Sequence, residues 1–373
     1  MKRNILLYLR CLLLFIIRND SLKICFHVNR ANERGTAIAI FDYANYAEKL
    51  LGHESHLIFP SKLEDTIALE KFKNRFNNVT FYDGNVGNPN LPKHALNQSC
   101  NLLYLLKSGE KDSPARFPDA FSPDLKTAVH AVFIWDPHGT AYAAISPTVH
   151  PTHDNNFVVP HMVTKPYVTA SNTTLRRELG IPTSALTVCR HGGFISFSLK
   201  IAHTAIKSLV KLFNEKQLQF IFLNTESFIT NAKVHFLKKT VDTIKKEEFF
   251  SACDVMLHAR KDGETFGLAV AEFSIRQKPV ITANLKGVPG FHIEILGDRG
   301  FYYQTEQEII NIISGKMYKF FHYTKITFLG FIKNGIPKKD YNAYTEFTPE
   351  KVMDKFKKLF IDTAQNVDST YST

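Results

Sequence analysis

Apolar residues along the chain fall into short runs separated by polar, glycine-containing turns, and these runs alternate with longer amphipathic stretches. "LKICFHV" has the near-continuous apolar character of a strand buried on both faces, "NRANERGT" reads as a loop, and "AIAIFDYANYAEKLLG" reads as a helix ending on Gly52. "HESHLIFP" returns to strand. The opening is therefore a βαβ unit with a short strand-to-helix turn, the place where open parallel sheets put their ligands. "NLLYLLKSG", "AVHAVFIW" and "AYAAIS" continue the strands and predict a Rossmann-like domain over residues 22–168.

A proline-bracketed connection, "VVPHMVTKPY", precedes a second series. It contains "LRRELGIPTSALTVCRHGGF", the helix "SLKIAHTAIKSLVKLFNEKQ", the strand "FIFLNT", "EEFFSACD", the strand "VMLHA", a helix beginning near Gly267, and the strand "KPVITA". This predicts a second Rossmann-like domain over 169–345. "TPEKVMDKFKKLFIDTA" then forms a last helix within a C-terminal segment, 346–373, opened by a threonine cap with proline and glutamate in its first turn. The predicted fold class is α/β: two Rossmann-like domains facing across a cleft, with a C-terminal helix free to cross back to the first. A length of 373 residues fits two or three domains at roughly 150 residues each.

Residues 1–21 stand apart. "MKRNILLYLRCLLLFIIRND" has a basic start and an apolar stretch from Ile5 to Ile17 that Arg10 interrupts, short of the roughly 20 apolar residues of a spanning helix. No small-residue cleavage site follows. Two readings stay open: an interfacial anchor giving peripheral membrane contact through residues 1–20, or a poorly ordered leader. The expected location is cytoplasmic, with a membrane-peripheral alternative.

A net charge of +11, from 46 Lys and Arg against 35 Asp and Glu, favours an anionic partner. The basic residues lie in short pieces mixed with acidic ones, "LKKTVDTIKKEE", "IPKKDYN" and "DKFKKLF", which read mostly as solvated helix faces. No nucleic-acid partner is expected. Cys11, Cys25, Cys100, Cys189 and Cys253 are far apart and odd in number, and read as reduced, mostly buried thiols. There is no CxxC pair and no HExxH, so no metal site and no cofactor are expected.

The sharpest chemical signal is "RKDGETFGLAVAE". Glycines Gly263 and Gly267 permit a tight turn between strand and helix, and backbone N–H groups of Phe266, Gly267 and Leu268 would point outward at a positive helix end suited to a diphosphate. Glu272, about one turn inside, can accept hydrogen bonds from ribose hydroxyls, and Glu264 before the helix would face a sugar. A rival reading makes the pair a glycosidase acid and base. Those carboxyls stand roughly 5 to 9.5 Å apart, whereas eight helical positions span about 12 Å. The bland reading is a capping glutamate and a snorkelled one.

In "TVCRHGGFISFSLK", Arg190 ends a strand, Gly192 and Gly193 allow close backbone approach, and a forked arginine contact suits phosphate. A plain glycine-rich connection is the alternative, and Lys200 could face water. Arg34, Gly35 and Thr36 form the first domain's strand-to-helix turn. His130 lies in a strand, more like a core histidine, while His138 and His161 sit by turns.

Taken together, "GETFGLAVAE" followed by "KPVIT" resembles the E-x7-E signature of glycosyltransferase family 4, retaining enzymes of the GT-B fold that use nucleotide sugars. The resemblance runs from about Leu22 to Leu359, with "RGTAIAIFDYANYAEKLLG", "VPHMV", "LRRELGIP" and "RHGG" in the order the family requires. It implies catalytic roles for Glu264, His130 and Arg190. It also implies donor binding by Gly35, Thr36, His191, Gly192, Gly193, Lys200, Thr265, Phe266, Gly267, Leu268 and Glu272, with the first domain on the acceptor side. In one place the chain departs from the family: the usual lysine shortly after the arginine is delayed to Lys200, leaving either Lys200 or the RHGG backbone with His191 to meet the phosphates. The implied activity is metal-independent, retaining transfer of a hexosyl or related group from a nucleoside diphosphate sugar to a glycan or other hydroxyl acceptor. A non-catalytic nucleotide-sugar-binding homologue and a sugar-nucleotide epimerase on a related fold are the alternatives.

Overall fold

The computed structural model describes residues 21–29, 35–61, 66–83, 90–111, 125–164, 173–240, 242–314 and 330–370. The anchor reading of residues 1–20, and Arg34, fall outside these. Among the described residues no helix is long and apolar enough to cross a membrane.

The chain forms two compact units. The first gathers β1 (Lys23–His27), the span Thr36–Ala144 and the C-terminal segment from Met353 onward; the second is Ile145–Val352. The first unit's remaining strands are β2 (Glu54–Pro60), β3 (Asn78–Tyr82), β4 (Leu102–Lys107), β5 (Lys126–Ala131) and β6 (Ala141–Ala144). All pair in parallel in the order β3-β2-β1-β4-β5-β6. Parallel pairing demands crossovers, and the helix Gly35–Leu51 supplies the first, with Ala37, Ile40, Tyr43, Ala44 and Ala47 buried at helical spacing.

The second unit repeats the plan with β7 (Leu186–Arg190), β8 (Leu218–Leu223), β9 (Val234–Leu237), β10 (Val255–His258), β11 (Val280–Ala283) and β12 (Phe301–Tyr303), ordered β12-β11-β10-β7-β8-β9. Counted from its own first strand, this is the same doubly wound order. Each sheet therefore has one switch point, between β1 and β4 and between β7 and β10, where strand order reverses and a crevice opens at the carboxyl ends. Its core holds Ile206, Leu209, Phe220, Phe222, Leu257 and Ile281, all fully buried.

The C-terminal helix starts at Pro349, passes through a wider π turn over Lys357–Asp362, and continues to Thr370. From Met353 onward it belongs to the first unit. The Phe356 ring lies 5.4 Å from Tyr43 and 6.5 Å from Phe26, and the Phe360 ring lies 5.7 Å from Tyr104.

The cysteines correct the sequence reading. Cys25 is paired with Cys100, and Cys189 with Cys253, as disulfides. Topology brings together what sequence separates: Cys25 lies on β1 and Cys100 just before its neighbour β4, while Cys189 lies on β7 and Cys253 just before β10. Alkylation of the denatured, unreduced chain is expected to label one of the five cysteines. Labelling of all five would restore the reduced reading.

Candidate nucleotide-sugar site

Two loops flank the switch point of the second sheet: residues 191–199 after β7, and 259–267 after β10. Arg190, the last residue of β7, is 3% exposed. Its NH1 donates to the Asn224 carbonyl (3.0 Å) and the Thr225 hydroxyl (2.5 Å), and its NH2 to the Gly193 carbonyl (2.8 Å) and Ser196 Oγ (2.5 Å). Burial lowers this guanidinium to about 10, so it stays charged at neutral pH. Its charge thus stays at the switch point, while two of these hydrogen bonds fasten the loop and two tie Arg190 to the residues after β8. Gly192 has φ 143°, and a Cβ there would sit 3.1 Å from Arg190 NH2.

Beyond β10, Gly263 (φ 65°) lies so close to Pro289 that any Cβ would overlap the Pro289 carbonyl oxygen. The next residue, Glu264, donates its N–H to that same carbonyl at 2.9 Å. Gly267 is left-handed (φ 82°), and the helix Leu268–Ser274 follows it. Both glycines are required by φ and by space. Thr265 and Phe266 are buried; the Phe266 ring packs on His161, Tyr344 and Phe347, and its carbonyl accepts from the Tyr344 hydroxyl. The Phe266 side chain is an anchor for the turn.

Glu264 sits at the end of a polar chain that the sequence reading missed. His258 Nε2 is 3.2 Å from Glu264 Oε1, His258 Nδ1 is 2.9 Å from Thr282 Oγ1, and Thr282 Oγ1 is 3.0 Å from His292 Nε2. A carboxylate only accepts. His258 Nε2 therefore donates to Glu264 Oε1. Arg260 NH1 reaches the other oxygen at 3.1 Å. Burial alone would raise Glu264, but the His258 hydrogen bond and charge, with Arg260 and His292, outweigh it and bring the carboxyl down to about 2.

Glu272 has its own partners. Lys246 is paired with Oε1, and His191 Nε2 lies 2.8 Å from Oε2. Burial opposes ionisation of Glu272 too, but Lys246 and His191 win and hold it well below the ordinary carboxylate range. His191 is lowered by burial among Phe249, Phe250 and Phe273, more than Glu272 raises it. It is neutral near pH 7. The run containing Lys246 was read as solvated face, and that reading is corrected for this residue. Lys200 opens the helix Lys200–Leu212 and is exposed.

Gly35 and Thr36 open the helix Gly35–Leu51, and both are exposed. His130, expected as an active-site histidine, lies enclosed within the first unit. It is 0% exposed, its Nδ1 lies 2.6 Å from the Tyr104 hydroxyl, and the Tyr43 and Phe360 rings cover it. Among the described residues no cluster of three or more His, Cys, Asp or Glu is placed to hold a metal ion.

The buried histidines have a consequence for stability. Burial brings His161 down to about 3, and His292 to about 3, where the His258 and Arg260 charges add to the lowering and Glu264 opposes it. The unfolded chain then binds more protons than the native one below the ordinary value of 6.5. Stability is full above that pH and is lost as pH falls through the window from 6.5 toward 3, by about 2 kcal/mol per histidine at pH 5. Urea unfolding at pH 7 and pH 5 is expected to show this loss, and equal stabilities would refute it.

No family model and no curated protein matches the chain. Solved structures do. A glycosyltransferase from Rickettsia africae aligns with a TM-score of 0.61 at 12% identity, over 94% of this chain and 98% of that one. HepE from Anabaena, solved in complex with UDP-glucose, aligns at 0.60 and 15%, over 94% and 100%. A protein from Listeria monocytogenes described as a UDP-N-acetylglucosamine 2-epimerase aligns at 0.50 and 11%, over 78% and 86%. At such identities the likeness is one of fold: the chain has the GT-B architecture, two α/β units each built on a parallel six-stranded sheet.

Proposed function

We propose that the chain is a retaining glycosyltransferase that moves a sugar from a nucleoside diphosphate sugar, with UDP as the nucleotide, to a hydroxyl acceptor on a glycan. The observation that carries this reading is the pair of ionised carboxylates beyond the carboxyl end of the switch-point strand β10, Glu264 in the turn between Gly263 and Gly267 and Glu272 in the helix that follows. Glu272 would accept from the ribose hydroxyls, and Glu264 would face the donor sugar. The backbone N–H groups of Gly267 and Leu268 and the charge of Arg190 would stabilise the diphosphate as it leaves, an electrostatic contribution of several kcal/mol in a preorganised site. UDP enters because HepE, similar in fold, is solved with UDP-glucose.

The chemistry balances without a further reactant. The acceptor oxygen attacks the anomeric carbon on the face from which the phosphate departs, and the carbon–phosphate oxygen bond breaks. The acceptor's proton then passes to the departing phosphate oxygen. Configuration is retained, and this reading assigns no step to a metal ion.

Incubation with UDP-glucose and a panel of oligosaccharide acceptors, followed by proton NMR of the anomeric region, tests the reading. UDP release that depends on acceptor, with an α-linked product from the α-linked donor, is the expected result. Acceptor-independent conversion of the sugar nucleotide to its epimer would replace this reading with the epimerase one, which the likeness to the Listeria protein supports. Nucleotide binding without any turnover would leave a binding homologue.

A further inference from the structure

Lys246 is set apart from the lysines around it. The helix Thr243–Ala252 is capped by Asp242, whose carboxylate accepts from the N–H groups of Ile244 and Lys245, so the helix end has no need of Lys246. Thr243, Ile244 and Lys245 are exposed, whereas Lys246 turns inward and pairs with Glu272 across 26 residues of sequence. The same helix provides Phe249 and Phe250, whose edges wall the His191 ring on Glu272's other side. One helix thus brings a cation to one carboxylate oxygen and fixes the imidazole on the other.

The rest of the surroundings act on backbone or on each other. Arg276 gives NH1 to the Glu272 carbonyl at 2.6 Å and Nε to Glu247 at 2.9 Å, so it holds the helix and not the Glu272 carboxylate. A carboxylate offers about four acceptor positions. With one taken on Oε1 by Lys246, and the His191 ring 2.8 Å from Oε2 without a hydrogen bond to it, acceptor capacity remains on both oxygens, and 21% of the Glu272 side chain faces solvent.

We propose that Lys246 is a positioning residue of the donor site: with His191 it clamps the Glu272 carboxylate, ionised and aimed, for the paired hydroxyls of a nucleotide's ribose. This rests on the donor-site reading above. Lys246 acts through Glu272 and not by touching the nucleotide, which distinguishes it from a lysine that simply attracts phosphate. Its partners also tie the effect to pH. Without Lys246 the half-buried carboxylate faces only the neutral His191, and protonation, which abolishes its acceptor role, comes at higher pH.

The test is calorimetric titration of UDP into wild type, Lys246→Met, Lys246→Gln and Lys246→Arg at pH 7.5 and 5.5, with unfolding midpoints as the fold control. The glutamine variant takes the methionine variant's place if that one does not fold. Ratios of variant to wild-type affinity cancel the nucleotide's own titration. The neutral variants are expected to bind about tenfold more weakly at pH 7.5 and to fall further behind at pH 5.5, with arginine restoring most of the loss. Wild-type binding with an equal deficit at both pH values, with no deficit, or with arginine as weak as methionine would overturn the clamp alone. Failure of the wild type to bind UDP would overturn the donor-site reading and the clamp with it.

Discussion

Glu272→Ala is expected to weaken UDP binding at least about 100-fold while leaving the fold in place. Hydrogen bonds to a charged acceptor contribute about 1.5–3 kcal/mol each, so two ribose hydroxyls on one carboxylate are worth about 3–6 kcal/mol, and each 1.4 kcal/mol is tenfold. The fold survives because neither partner is trapped as a buried charge: Lys246, with 24% of its side chain exposed, can turn to water, and His191 is already neutral. Glu272→Gln, which keeps the shape but exchanges one acceptor for a donor, is expected to fall between. Calorimetric titration measures both, and a loss under about threefold for the alanine variant would remove the ribose role.

Arg276→Ala is expected to have the largest effect on stability. The Arg276 guanidinium makes a two-point ion pair with Glu247, with side-chain exposures of 12% and 8%, and its centre lies 4.0 Å from the Phe250 ring centroid. Removing it strands the Glu247 carboxylate inside the helix-packed wall that also supports His191. Breaking a buried pair from one side costs about 3–5 kcal/mol. Urea unfolding gives the number directly. A change below about 1 kcal/mol would mean that the pair behaves like a surface one.

The fold was largely legible because buried parallel strands advertise themselves as continuous apolar runs. The strands that escaped are β3, β9 and β12, three of the four sheet edges. Edge strands bury less: the burial of "NVTFY" is partial at three of five positions with Phe81 exposed, "VHFL" is buried only at Val234, and "FYY" is three residues long. The fourth edge, β6, was visible because "AYAA" is buried at three of its four positions. Apolar periodicity reports burial, and an edge gives it less to report.

At the site, the carboxylates were legible and their partners were not. A glutamate inside "GETFGLAVAE" is conspicuous because an apolar helix makes any charge expensive. Lys246 hid in a lysine-rich run, and only tertiary packing separates it from its exposed neighbours. His258, Thr282 and His292 lie on β10, on β11 and in the helix Phe291–Leu296, and only the parallel register that sets His258 beside Thr282 joins them to Glu264. The signal that could have found them is a polar residue at the carboxyl end of each of two adjacent buried strands. His130 shows the same limit: a histidine within an apolar strand matched a family role, while the aromatic cover from Tyr43 and Phe360 could be known only from the packing.

The most direct test of the account is a thermal-shift titration of the wild-type chain with UDP, GDP, ADP and CDP. A ligand at a hundredfold over its dissociation constant stabilises the native state by about 2.7 kcal/mol. The account predicts a saturable rise in unfolding temperature with UDP and little with the others. No shift with any nucleotide at millimolar concentration would contradict it, and would return Glu264 and Glu272 to being carboxylates that only hold a turn together.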